Sequence, residues 1–329
     1  MRSGGTAGRR ARPLVEAALL LALLAPSPAS AFELAWPLAC RLWQDCWIVR
    51  YLDRDPGPGV RDFAGGSRSS DGHRGLDIAI ADLRAMSRGV AVRAAAAGVV
   101  VGLRDGEPDV DVRRRGLAAV RGRECGNGVL LRHADGFETQ YCHLRRGSIR
   151  VRMGERVPAG ALLGLVGMSG KTSFPHLHLT VRARGELLDP VDSPLLSWSR
   201  EAGDVRAYPL VVVTGIGLTD RAVTMEELAA GMHDHQRLDA TVEALVAWVR
   251  GFWWRRGDML RLEIAGPDGS LLFARSMRVE RSRPFAFYFA GKRRRGGAWP
   301  AGIYRVRVTI RRDGRELAAS RRIAILRAE

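Results

Sequence analysis

Alternation of apolar and polar residues with a period of two runs through this chain and restricts it to a fold built of strands. Leu177, Leu179 and Val181 alternate with His176, His178 and Thr180. Leu260, Leu262 and Ile264 alternate with Met259, Arg261 and Glu263, and Tyr304, Val306, Val308 and Ile310 with Arg305, Arg307, Thr309 and Arg311. Side chains two apart share a strand face, so each run has an inner and an outer side. Turn signals supply the connections. Val129–His133 and Phe137–Tyr141 flank Ala134-Asp135-Gly136, which predicts a hairpin. Pro267-Asp268-Gly269 and Asp313-Gly314 mark turns further on.

The strands divide into two groups. From Cys40 to about Ser197 the chain is rich in glycine and short β-like runs, among them Val99–Leu103, a buried-strand candidate, and the leucines between Gly160 and Gly167. No long amphipathic helix interrupts them, so an antiparallel β domain is expected over 32–197. Arg104–Glu124 is a charged insert without periodicity and reads as a surface loop of the kind that borders clefts. A linker covers 198–204. Strands between turns over 205–329 predict an immunoglobulin-like β-sandwich, with Thr224–Ala230 as a turn or two of helix. The fold class is therefore all-β.

Residues 1–31 read as a leader to be removed. Arg9, Arg10 and Arg12 precede an apolar run from Leu14 to Ala25, and Ala29-Ser30-Ala31 is a small-x-small cleavage site. The run is too short to span a bilayer, so export to the periplasm or cell envelope is expected, without membrane insertion after cleavage. Cys40 lies too far from this run to read as a lipid-modified cysteine. An oxidising compartment and four cysteines suggest two disulfides, and proximity favours Cys40–Cys46 and Cys125–Cys142. The formal charge is +17, and the leader's four Arg and one Glu leave +14 on the remainder. Such a charge favours polyanionic partners. Export excludes nucleic acid and leaves wall polymers with their carboxylates and phosphates. The sequence leaves oligomeric state open.

Three histidine motifs carry the chemistry. In Gly72-His73-Arg74-Gly75-Leu76-Asp77-Ile78, an even spacing puts His73 and Asp77 on one strand face. In Pro175-His176-Leu177-His178-Leu179 the same spacing pairs two imidazoles opposite the leucines. His143, in Gln140-Tyr141-Cys142-His143-Leu144, ends the predicted hairpin. Two imidazoles and a carboxylate are a common catalytic zinc set with a fourth position for water. His73, Asp77 and one of His176 and His178 provide it. Zinc lowers the pKa of its water and polarises a carbonyl, and the two remaining histidines suit proton transfer and oxyanion stabilisation. Outside the motifs, His233-Asp234-His235 reads as exposed and His133 as a surface residue flanking the turn. Trp248, Trp253 and Trp254 read as packing of the second unit, and Arg293–Arg295 as a solvated loop.

These motifs resemble those of the lysostaphin-type, LytM-like zinc endopeptidases of peptidoglycan. The similarity rests on His73-x-x-x-Asp77, His143 in Tyr-Cys-His-Leu, and His176-x-His178. Asp55-Pro56-Gly57, Asp71-Gly72-His73, Cys125-Gly126-Asn127-Gly128 and Ser169-Gly170-Lys171-Thr172 extend it over roughly Cys40 to Pro194. Relatives with the Asp-Pro-Gly segment often carry another cysteine near Asp62-Phe63, where this chain has Ala64-Gly65-Gly66. The resemblance implies a β fold of the duplicated hybrid motif type. It also implies zinc ligation by His73, Asp77 and His178, with His143 and His176 assisting catalysis, and peptidoglycan as substrate. Inactive relatives that bind the wall or activate an amidase lose zinc ligands, whereas this chain keeps the whole set.

Overall fold

The computed structural model describes residues 1, 4–5, 31–234 and 236–326. The predicted leader from Arg9 to Ser30 and His235 lie outside the described residues. The architecture is nearly all β, with only three short α-helices and three 3-10 turns among the described residues. None of these helices is long and apolar enough to cross a membrane.

The first unit is organised by one mainly antiparallel sheet. Its strands lie in the order Cys46–Arg50, Leu76–Ile80, His176–Ala183, Phe137–Leu144, Asn127–Arg132, Gly98–Arg104 and Arg156–Val157, with Glu186–Leu188 also paired to His176–Ala183. Alternation does its work here: Leu177, Leu179 and Val181 are wholly buried, as are Leu76 and Ile78. Each such side chain contributes about 1.5–3 kcal/mol on leaving water. The core they build also takes in Ala202 and Val205. The predicted hairpin forms between Asn127–Arg132 and Phe137–Leu144, with Asp135 left-handed in its turn. Phe32–Leu34 pairs in parallel with Leu196–Trp198, clasping the start of this unit to its end.

The insert is more ordered than a surface loop. It carries the short helix Val112–Arg115, and Glu107 is buried, with Arg115 and Arg123 bonded to its carboxylate. Asp109 accepts from the backbone N–H groups of Arg146 and Met168, and Asp105 from that of Gly147. Of the Val99–Leu103 run only Val100 is buried, so that strand is covered on one side alone.

Two sheets enclose the second core. One has the order Val212–Thr219, Ala244–Trp254, Arg283–Arg293. The other runs Arg237–Asp239, Arg315–Leu326, Gly302–Arg312, Met259–Ala265, Leu271–Arg278. Leu260, Leu262, Ile264, Tyr304, Val306, Val308 and Ile310 all point inward, joined by Trp254. Trp248 packs with Val223, Leu228 and Phe287. The helix Met225–Ala230 starts in a capping box between Thr224 and Glu227. Two histidine expectations are corrected. His233 is buried, within reach of the Thr219 hydroxyl and the Glu227 carboxylate. His133 is buried too, its two ring nitrogens on the Ala97 carbonyl and the Thr139 hydroxyl. In both cases a tertiary partner, invisible in local polarity, holds the ring inside.

The two cores meet on the face of the first sheet opposite its leucines. Trp47, Val49 and Ala79 pack there against Val212 and Phe252. Trp253 donates its indole N–H to the Val49 carbonyl, and buried Arg250 reaches Ala81 O and Asp82.

Candidate metal centre

Three neighbouring strands bring the predicted site residues together. His178 is the cross-strand partner of Asp77 on one side and of Cys142 on the other. Asp77 therefore arrives from Leu76–Ile80, and His143 from beside Cys142 in Phe137–Leu144. His73 does not share a strand with Asp77 as its spacing predicted. The strand starts at Leu76, and His73 reaches in from the preceding turn, its N–H on Ser70 O.

His143 needs a special backbone. By alternation it would join Tyr141 on the core face. Its φ of 62° lies in the left-handed region and takes it out of that register. The ring centroid lies 4.6 Å from that of His176 and 6.0 Å from that of His178. Such a conformation costs on the order of 1–3 kcal/mol in a non-glycine residue and persists only where the surroundings enforce it. Here the N–H of His143 is held by Cys125 O, across the Cys125–Cys142 disulfide. The second disulfide joins Cys40 and Cys46.

Hydrogen bonds on the outer ring nitrogens fix which atoms face inward. His73 Nδ1 donates to Tyr51 O at 2.7 Å, leaving Nε2 toward the site. His178 Nε2 lies 3.0 Å from Thr180 Oγ1, and that hydroxyl donates to Arg74 O. The hydroxyl oxygen is thus the acceptor, and His178 presents an unprotonated Nδ1. His143 Nδ1 donates to Ser169 O and His176 Nδ1 to Phe174 O, so both turn Nε2 inward. These partners, Tyr51, Thr180, Ser169 and Phe174, were missed from the sequence. Only Thr180 carried a signal, two residues beyond His178 on the same strand face.

The donor set fits a cation. His73 Nε2, His178 Nδ1 and Asp77 Oδ1 form a triangle with sides of 3.0, 2.8 and 3.1 Å. Neutral rings bring three lone pairs together there, and doubly protonated rings bring two positive charges within 3.1 Å. A divalent cation relieves both. Zn–N and Zn–O bonds of about 2.0–2.1 Å correspond to donor separations of roughly 3.3 Å in a tetrahedron, close to this triangle. Asp77 is almost fully buried, which opposes its ionisation. The imidazoles of His73 and His176 around it nevertheless hold its carboxyl well below the usual range. Burial, reinforced by His176 and His178, depresses the His143 imidazole well below the ordinary histidine range, so it enters neutral. Burial also lowers His178, favouring the lone pair that a metal needs. Arg50 Nη1 lies 3.4 Å from the second oxygen of Asp77.

Residues 71–190 match peptidase family M23. The DD-carboxypeptidase/endopeptidase Mpg of Neisseria meningitidis is 35% identical over 95 residues, 28% of this chain and 21% of that protein. The cell division protein DipM of Caulobacter vibrioides is 42% identical over 74 residues, 22% of this chain and 12% of the relative. The peptidoglycan DD-endopeptidase ShyA of Vibrio cholerae is 38% identical over 60 residues, 18% and 14% of the two chains. The matched segment spans about a fifth or less of each relative.

Proposed function

From the M23 peptidase domain in residues 71–190, we propose that this protein is an exported zinc endopeptidase that hydrolyses peptide bonds in peptidoglycan stem peptides or cross-bridges. The observation that carries the reading is the triangle of inward lone pairs on His73, Asp77 and His178, each nitrogen fixed by a bond on its far side. These three residues would hold zinc. Zinc bound there supplies a Lewis acid that acidifies water and polarises the scissile carbonyl. The protein supplies the rest. One of His143 and His176, through Nε2, takes the proton from the attacking water. The other, carrying a second proton on Nε2 as an imidazolium, donates a hydrogen bond to the developing oxyanion. Their Nδ1 contacts to carbonyl oxygens suit this, because each orients a ring and leaves Nε2 free to exchange a proton.

The name of ShyA, a peptidoglycan DD-endopeptidase, supports peptidoglycan as the substrate class, and that of Mpg supports a DD-peptidase activity. The positive charge suits its carboxylates. We assign catalysis to 32–197 and an accessory role to an immunoglobulin-like unit over 205–329. An inactive wall-binding or amidase-activating protein would have no need of a complete donor set, so the enzyme is the better reading. The test is zinc content and muropeptide cleavage, followed by mass spectrometry, on the same samples of His143→Ala and His176→Ala. Both variants are expected to keep about one zinc per chain and to lose turnover by a factor of roughly 10²–10⁴. Cleavage at the wild-type rate by both would overturn the mechanism. Loss of zinc from either would place that residue among the ligands.

A further inference from the structure

The imidazole of His176 lies between two rings. His143 is on one side, and Phe174 stacks on it with centroids 4.5 Å apart and planes 24° apart. The Phe174 carbonyl also accepts from His176 Nδ1, and the Thr172 hydroxyl lies 3.1 Å from the same nitrogen. The geometry of His176 therefore depends on where residues 172–174 sit. Phe174 is only half-buried and belongs to no strand.

What lies behind Phe174 comes from the second unit. Phe252, in Ala244–Trp254, contacts the Phe174 ring at a centroid distance of 5.3 Å and is itself nearly buried. Phe285, on the neighbouring strand Arg283–Arg293, is the cross-strand partner of Phe252 and packs on it at 4.5 Å. A row of rings, Phe285, Phe252, Phe174 and His176, thus runs from the second unit into the metal centre. The row is anchored at its base. Phe252 shares a small core with Trp47, Val49 and Ala79 of the first sheet, and Ala79 is the cross-strand partner of His176. The adjoining Arg250 and Trp253 bond to Ala81, Asp82 and Val49 of the first unit.

We propose that Phe252 is a positioning residue for His176, acting through Phe174, so that the second unit sets the geometry of the catalytic centre without contributing a group to it. This rests on the role given to His176 above. Close packing transmits the effect. A void behind Phe174 would let that ring tilt back, and with it the imidazole stacked on it. A displacement of about 1 Å in an acid–base group costs up to roughly 10²-fold in rate.

The experiment uses the full chain with Phe252→Ala, Phe252→Leu and Phe285→Ala, alongside His176→Ala. Zinc per chain and thermal midpoint are measured first. Then kcat and KM on a soluble muropeptide are taken per zinc-loaded folded molecule, and the His176 ring protons are followed by NMR in the zinc-free protein. Phe252→Ala is expected to keep its zinc, to lose roughly 10- to 100-fold in kcat with little change in KM, and to move the His176 ring signals as the Phe174 ring current departs. Phe252→Leu refills most of the volume and is expected to recover most of the rate. Phe285→Ala, which leaves Phe252 in place, is expected to show the same effects more weakly and serves if Phe252→Ala does not fold. Wild-type kcat together with unmoved His176 signals in the alanine variants would overturn the proposal, whatever the thermal midpoint does. Full activity in His176→Ala would instead refute the role of His176, and the NMR signals would still decide whether Phe252 holds its ring.

Discussion

Thr180→Val tests whether the proposed metal centre depends on a hydroxyl outside the donor triangle. Thr180 is 2% exposed, and its Oγ1 receives the His178 Nε2 proton while donating to Arg74 O. Valine keeps the shape and removes the oxygen. The His178 N–H is then left buried without its partner, at a cost of about 1–3 kcal/mol. Alternatively the proton moves to Nδ1, where Asp77 Oδ1 waits 2.8 Å away, and the lone pair needed by the metal is lost. By either route zinc affinity should fall about 10- to 100-fold, the range seen when outer partners of metal-bound histidines are removed. Competition for zinc against a chelator of known affinity measures this directly on the purified full chain. Thr180→Ser restores the oxygen and should restore affinity. If Thr180→Val holds zinc as tightly as the wild type, the assignment of the His178 tautomer is wrong, and with it the argument for three converging lone pairs.

Burial lowers the His133 imidazole below its ordinary 6.5, so between the folded and unfolded values the unfolded chain binds more protons and stability falls as pH drops through the usual histidine range. His133→Gln should therefore show a shallower loss of thermal midpoint between about pH 7 and pH 5 than the wild type, and an unchanged slope would refute this. Removing the Cys125–Cys142 bridge with paired alanines should cost about 3 kcal/mol for a loop of this length, read by urea denaturation, and should lower turnover because Cys125 O holds the backbone of His143. Arg250→Met leaves Asp82 buried without its cation. It should cost about 3–5 kcal/mol and split a shared unfolding transition into two, which calorimetry would resolve.

The sequence was most legible where local pattern and tertiary demand agree. Period two in His176–Val181 placed two imidazoles on one face and two leucines on the other, and the strand holds them that way. The Ala134-Asp135-Gly136 turn marked its hairpin, because a left-handed residue is a local requirement. Illegible features depended on folded-state partners that local polarity does not reveal. Local polarity made His133 and His233 look exposed, but Ala97, Thr139, Thr219 and Glu227 decide otherwise. Period two also failed at His143, where a single positive φ overrides it, and at His73, which a turn and not a strand delivers. The insert read as a loop without periodicity because its order comes from three carboxylates: Asp105 and Asp109 accept from backbone N–H groups of other segments, and Glu107 gathers Arg115 and Arg123 of the insert itself.

The parallel clasp between Phe32–Leu34 and Leu196–Trp198 has a consequence in time. A chain threaded through a membrane from its N-terminus presents Phe32–Leu34 early, but the partner strand emerges only after nearly all of the first unit has passed. His73 and Asp77 likewise emerge long before His178. Pairings this distant in sequence form slowly, because the intervening chain must be ordered before they are rewarded. On the proposed export route the incoming chain would be an unclasped polymer without its complete donor triangle for most of its passage, and the proposed hydrolysis would wait until it has reached the far side.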